Sequence, residues 1–189
     1  MSGVAHCPSI PGTRQVRRSI PMVTSPVEVC AECGFDGEAW TDAEAVSAIA
    51  DLPRRWSEAV AGVGDADLQR RPIPMMWSIA EYVDHAREVL FGMRFLLATA
   101  VNDPGTDLGE QPESTFASEP RAIDLDAALA GLAREADQLA HALAETPPAT
   151  WTSTVIVSSD ELDLHWVARH GIHDPTHHLL DVARLRAAL

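Results

Sequence analysis

Residues 77–101 read WSIAEYVDHAREVLFGMRFLLATAV, and this stretch decides the fold. Ser78 and Glu81 form a capping box, in which each side chain satisfies a free backbone amide in the first turn of a helix. Across residues 83–97 the apolar side chains cover much of the helix circumference, which is typical of a helix with neighbours on several sides. The turn formers Asn-Asp-Pro-Gly follow Val101. We therefore predict a long helix that ends near this point and lies at the centre of a helix bundle.

Three further segments have an amphipathic helical pattern. The first begins at a second capping box, residues 41–44, and runs to about Val60, although Pro53 inside it predicts a kink or a break. The next spans residues 125–145, and the last begins at the polar run of residues 158–161 and continues to the end of the sequence. Four amphipathic helices without repeated strand patterns predict an all-α fold, a four-helix bundle.

Two connecting segments are not predicted to be helical. Residues 103–123 form a long polar loop with three prolines, in the length range where loops are often functional or mobile. Residues 152–157 are rich in β-branched side chains, which favour extended backbone. We predict an extended link there instead of a sheet.

The first 40 residues are predicted to be a disordered or extended arm, and residues 41–189 to be the bundle. Residues 1–21 contain three arginines, three prolines and no acidic residue, and they lack the apolar core of a signal peptide. Met22 is an alternative start, in which case the preceding residues would be an upstream extension. The arm also carries a Cys-x-x-Cys-Gly element.

The composition limits the partners and the setting. A chain of 189 residues fits one domain, and its 28 acidic against 14 basic residues give a net charge of −14. Nucleic acids and anionic membranes both require a cationic surface, so neither is an expected partner. The 14 basic residues are all Arg, which is typical of GC-rich bacterial genes, and three cysteines outside any framework favour a reducing cytoplasm. We expect a small-molecule substrate and leave a homodimer open.

A cluster of histidines near the end of the chain is the main chemical signal. His170, His173, His177 and His178 fall within nine residues. His173 and His177 are spaced i and i+4, so their imidazoles can reach one metal ion from a single helix, whereas His178 points elsewhere. A third ligand must come from another element, and His85 is the best candidate. The alternative is chance clustering on a solvated helix face.

Several neighbouring residues are candidates for supporting roles. Pro175 predicts a kink in the last helix, or a restart with Asp174 as its N-cap. Asp174 and Asp181 could orient ligand imidazoles, and Glu81 could support a ligand or serve only as a helix cap. His170 could face the substrate or be a partly buried structural residue.

The Cys-Ala-Glu-Cys-Gly sequence that begins at Cys30 is a separate signal. Cys30, Cys33 and Gly34 match one half of a zinc knuckle, in which the glycine permits the tight turn that brings two sulfurs to one ion. No second pair follows, although His6 and Cys7 could complete a site. A redox dithiol and two inert thiols remain the alternatives.

Two motifs carry a resemblance to a known family. Trp-Ser-x-x-Glu-x-x-x-His at residues 77–85 and His-x-x-His-Asp-x-x-His-His-Leu-x-Asp-Val at residues 170–182 resemble the DinB/YfiT-like metalloprotein superfamily, to which mycothiol-dependent maleylpyruvate isomerases and bacillithiol transferases are related. The resemblance, which covers about residues 41–189, implies a four-helix bundle with one divalent metal on three histidines. Matched residue by residue, these would be His85, His173 and His177. A proline between the last two departs from the pattern.

The expected chemistry follows from this ligand set. Three protein ligands leave a position open for water or substrate, which is the catalytic pattern of zinc sites. Zinc is the expected metal, with nickel and manganese as alternatives, and it would activate a low-molecular-weight thiol or a water by lowering its pKa. The resemblance implies a thiol-dependent S-transferase or isomerase. A metal-dependent hydrolase and a non-catalytic metal-binding stress-response protein remain alternatives.

Overall fold

The computed structural model describes residues 25–73, 75–110 and 119–189, and its main elements are five helices and five short strands. The predictions for residues 1–21, for the start at Met22 and for a site completed by His6 and Cys7 lie outside these ranges. The helices are α1 (Asp42–Val60), α2 (Asp65–Leu68), α3 (Ile79–Asn102), α4 (Leu125–Glu145) and α5 (Leu164–Ala187). The strands are β1 (Val29–Cys30), β2 (Phe35–Asp36), β3 (Thr106–Asp107), β4 (Thr154–Val157) and β5 (Asp160–Asp163).

The four long helices form the predicted bundle. α1 and α3 each pack against both α4 and α5, so the helices follow one another around the core in the order α1, α4, α3, α5. Capping boxes begin α1 at Thr41 and α3 at Ser78, as predicted. The largest fully buried side chains line the shared core and include Ile49, Trp56, Leu90, Leu132, Leu139 and Ile172. In the described ranges, none of the helices combines the length and the apolar character needed to cross a membrane.

The structure corrects the purely helical prediction, because the helices are accompanied by two small sheets. β4 pairs in parallel with β3 and antiparallel with β5. The predicted link over residues 152–157 therefore contains a strand. Ser158 and Ser159 have positive φ angles of 48° and 73°, which suit a tight hairpin turn and not the start of a helix. α5 begins instead after Asp163, whose side chain accepts a hydrogen bond from the backbone N–H of Trp166 at 2.8 Å.

The two internal prolines do not end their helices. α1 is continuous through Pro53 and α5 through Pro175, so the predicted restart at Asp174 is wrong. A proline inside a helix costs about 3 kcal/mol through its lost hydrogen bond and its clash with the preceding turn. Ile172 and Val182, which are buried on either side of Pro175, help to offset that cost.

Part of the predicted N-terminal arm is folded against the bundle. β1 and β2 form an antiparallel hairpin, which we call the N-terminal hairpin, and Phe35 within it is 8 % exposed. Arg169 of α5 donates hydrogen bonds to the carbonyl oxygens of Gly37 at 2.9 Å and Trp40 at 2.6 Å. The hairpin is thereby placed directly beside the histidines of α5.

Candidate functional site

The structure divides the three predicted metal ligands between two groups. His85 does not join His173 and His177 in any cluster of ligand atoms among the described residues. The reason is geometric, since neighbouring residues on a helix point about 100° apart. The i,i+4 pair that begins at His173 meets the N-terminal hairpin, whereas the pair that begins at Asp174 meets α3. The two groups are His85 with Asp174 and His178, and Cys30 with Cys33, His173 and His177; the ligand atoms of each lie within 4.8 Å of one another.

The first group, which we call the bundle centre, has the spacing of a metal site. Oδ1 of Asp174 lies 3.4 Å from Nε2 of His85 and 3.7 Å from Nε2 of His178. Ligand atoms about 2.0–2.2 Å from a tetrahedral ion lie about 3.4 Å apart. This oxygen is buried and has no hydrogen-bond partner in the part of the chain that the structure describes. A buried, unsatisfied carboxylate oxygen between two imidazoles therefore fits a divalent cation.

A second carboxylate sets the orientation of His178. Nδ1 of His178 donates to Oδ2 of Asp181 at 2.8 Å, and Oδ1 of Asp181 accepts from Nη1 of Arg184 at 3.0 Å. With Nδ1 carrying the proton, Nε2 presents its lone pair toward Asp174. The structure thus places Asp181 against His178, a histidine that the sequence analysis did not consider as a ligand.

The protonation states suit metal binding. Burial by itself raises the pKa of Asp174, but the neighbouring imidazoles of His85 and His178 outweigh it and hold the pKa below its usual value. Asp174 is therefore a carboxylate at neutral pH. Burial, followed by the charge of Asp181, raises the pKa of Tyr82 to about 12, so the phenol keeps its proton.

Two aromatic residues line the bundle centre without closing it. The ring of Trp77 lies 4.8 Å from that of His85, and the ring of Tyr82 lies 4.9 Å from that of His178. The side chains of His85 and His178 are each 18 % exposed, and that of Asp174 is 25 % exposed. The side chains of the three proposed ligands are therefore partly exposed to solvent.

Two of the supporting candidates lie away from this centre. Glu81 is buried, and its carboxylate accepts hydrogen bonds from the Ser78 backbone at 2.8 Å and from Nε of Arg71 at 2.7 Å. It therefore acts as the helix cap, the simpler of its two predicted roles. His170 contacts Oε1 of Glu28 through Nδ1 at 2.7 Å and stacks on Trp166.

The second group, which we call the hairpin centre, brings Cys30 and Cys33 to α5. Sγ of Cys30 lies 3.6 Å from Nδ1 of His177. The backbone N–H of Cys33, followed by the imidazole of His173, lowers the pKa of Cys30 to about 6, so this sulfur is a thiolate at neutral pH. Nδ1 of His173 lies 3.3 Å from Oε2 of Glu28. Sequence reasoning missed Glu28, although an acid two residues before a cysteine pair was visible.

The chain is similar to known proteins in both sequence and structure. The family model described as the DinB superfamily matches residues 48–182, whereas no curated protein matches the sequence. Among solved structures, YfiT from Bacillus subtilis, described as a probable metal-dependent hydrolase with an unusual four-helix bundle topology, aligns with a TM-score of 0.69 at 11 % identity. The alignment covers 87 % of this chain and 93 % of YfiT. Because the family match spans most of the sequence, from α1 to α5, the chain belongs to the DinB superfamily.

Proposed function

We propose that this protein is a divalent-metal-dependent hydrolase whose ion is held by His85, Asp174 and His178. The observation that carries the proposal is the buried, unpartnered Oδ1 of Asp174, with imidazole nitrogens at 3.4 Å and 3.7 Å. The description of YfiT as a probable metal-dependent hydrolase supports the same reading, since the two proteins share a fold.

The donor set favours hydrolysis among the candidate reactions. Two imidazoles and one carboxylate, with a position left for water or substrate, form the ligand set of several zinc hydrolases. When bound, the ion supplies Lewis acidity, which lowers the pKa of a nucleophile and polarises the bond under attack. Zinc is the first candidate, and nickel or manganese accept the same nitrogen and oxygen donors.

The residues around the ligands have defined tasks in this proposal. Asp181 fixes the His178 imidazole in the orientation that a ligand needs, and Arg184 holds Asp181 in turn. Tyr82, which keeps its proton because its pKa is about 12, packs beside His178. Trp77 covers His85 and provides an apolar surface for the substrate.

The thiol-dependent S-transferase or isomerase is the second candidate on the same residues. The sequence resemblance implies this reaction. We rank it below hydrolysis because Asp174 would supply a hard oxygen ligand, whereas a metal that binds a thiolate favours softer ligands. The partial exposure of the ligands argues against the non-catalytic alternative, since a purely structural ion is normally enclosed by four ligands.

The test compares metal content and activity in matched variants. Wild-type protein loaded with zinc, nickel or manganese is screened against ester, amide and phosphoester substrates, with and without a low-molecular-weight thiol. Asp174→Asn should lose one bound ion and the activity, whereas Asp137→Asn, an exposed position on α4, should retain both. Activity that requires the thiol would select the transferase. Activity that survives in Asp174→Asn, or an unchanged metal content, would refute the bundle centre as the active site.

A further inference from the structure

A second metal site, independent of the proposed hydrolase centre, is suggested by the residues that join the N-terminal hairpin to α5. We propose that Cys30, Cys33, His173 and His177 bind one zinc ion in a closed tetrahedral site that fastens the hairpin to the bundle. The four ligand atoms all lie within 4.8 Å of one another. The distance between Sγ of Cys30 and Nδ1 of His177 is 3.6 Å. A tetrahedral zinc ion with Zn–S and Zn–N bonds of about 2.3 and 2.0–2.1 Å separates these atoms by about 3.6 Å.

The two histidines have the partners that metal-binding histidines use. Nδ1 of His173 faces Oε2 of Glu28 at 3.3 Å, so it carries the proton and leaves Nε2 as the ligand atom. Nε2 of His173 is buried and has no hydrogen-bond partner among the residues described, which is costly unless an ion binds there. Nε2 of His177 faces Oε2 of Glu32 at 3.7 Å, which leaves its Nδ1 for the ion.

The cysteine loop has the backbone of a metal-binding turn. The N–H of Gly34 donates to the carbonyl oxygen of Cys30 at 2.9 Å, and Gly34 has a φ of 74°. This left-handed conformation favours glycine and closes the loop so that both sulfurs face the same side. The arrangement supplies the half-site seen in the sequence, and the second half comes from α5.

Four ligands indicate a structural ion, since a closed tetrahedral set leaves no position for a substrate. A hairpin with strands of two residues is too small to be stable alone. The ring of Phe35 stacks on the His173 imidazole with centroids 4.4 Å apart and planes at 12°. The ion and this stacking contact would act on the same histidine, and together they would hold the hairpin on α5.

Cobalt substitution in the full-length reduced protein tests the site. Cobalt bound by thiolates gives a ligand-to-metal charge-transfer absorption in the near ultraviolet, which the bundle centre cannot produce because it has no sulfur. Wild-type protein should bind two ions and show this absorption. Cys33→Ser and His177→Ala should each bind one ion fewer. Both variants should therefore lose the thiolate-to-cobalt absorption.

Two control variants separate this site from its alternatives. Asp174→Asn should keep the full charge-transfer absorption, and Cys7→Ser should keep both the absorption and the stoichiometry of two. Circular dichroism verifies that each variant remains helical. A wild-type protein without the absorption, its loss in Cys7→Ser, or a Cys30–Cys33 disulfide that forms in air in the presence of zinc would overturn the proposal.

Discussion

Replacing Glu81 with glutamine should destabilise the protein by about 3 kcal/mol at neutral pH. Glu81 is 1 % exposed, and its carboxylate accepts hydrogen bonds from Nε of Arg71 at 2.7 Å and from the backbone N–H groups of Ser78 at 2.8 Å and Arg121 at 2.9 Å. Burial by itself raises the pKa of Glu81, but these donors, led by Arg71, lower it from 4.5 to about 2. At about 1.4 kcal/mol for each pKa unit, the difference corresponds to about 3 kcal/mol.

The direction of the Glu81 pKa shift determines how the stabilisation depends on pH. The folded-state pKa of Glu81 lies below the unfolded-state value, so the stabilisation is complete above about pH 5 and is lost as the pH falls toward 2. Roughly half of it should remain at pH 3. Glutamine does not titrate at this position. The difference in the free energy of unfolding between the wild-type protein and the variant should therefore become smaller as the pH falls from about 5 to about 2. At neutral pH a loss of this size lowers the Tm of a chain of this length by roughly 6–12 °C.

Thermal and urea unfolding, followed by circular dichroism at pH 7 and pH 3, measure the loss of stability and its dependence on pH. Glu58→Gln is the matched control, because the Glu58 side chain is 64 % exposed and pairs with Arg54 on the surface of α1. Its loss should cost less than about 1 kcal/mol. If Glu81→Gln melts no earlier than Glu58→Gln at pH 7, or if its deficit is the same at pH 3, the buried ion pair does not stabilise the fold.

Three further predictions concern the metal centres. Asp181→Asn should weaken binding at the bundle centre roughly 10–100-fold in a competition titration with a chelating dye, because His178 loses its orienting carboxylate; unchanged affinity would show that Asp181 has no such role. Gly34→Ala should weaken cobalt binding at the hairpin centre roughly 5–30-fold, since a positive φ costs a residue with a side chain about 1–2 kcal/mol; an unaltered cobalt titration would contradict this. Removing both ions with a chelator should leave the helical circular dichroism nearly intact, and melting of the helices would show that the ions hold the bundle together.

The helical framework could be predicted because its signals are local. The capping boxes at Thr41 and Ser78 and the apolar periodicity after them determine where helices begin and which face is buried. The start of α5 was missed because Ser158, Ser159, Asp160 and Glu161 also match the composition of a capping box. These residues form a hairpin turn and not a helix start because β4 pairs with β5 and with the distant β3. A pairing partner about 50 residues away leaves no signal in the local sequence.

The sequence predicts His85, His173 and His177 as ligands of one metal, whereas the structure does not bring the three side chains together. Two i,i+4 pairs overlap on α5, His173 with His177 and Asp174 with His178, and only the first consists of two histidines. Both pairs have the spacing that a metal requires. That spacing does not indicate in which direction around the helix each pair faces. The contact of His85 with Asp174 shows which of the two pairs faces α3. This contact depends on how α5 packs against α3.

That packing is set by the core and not by the metal. A side-chain carbon added at Gly171 would lie 3.4 Å from Leu139 and 3.6 Å from Ile49 and Met93, so α5 approaches its neighbours closely there. A rotation of α5 by one residue, about 100°, would carry Ile172 out of the core and is therefore excluded energetically. The helix is thus held in the one orientation that turns Asp174 to α3 and His173 to the hairpin. Because apolar contacts already fix this orientation, the side chains that α5 contributes to both proposed centres face their partners without help from an ion, and metal binding at the bundle centre need not reorganise the bundle.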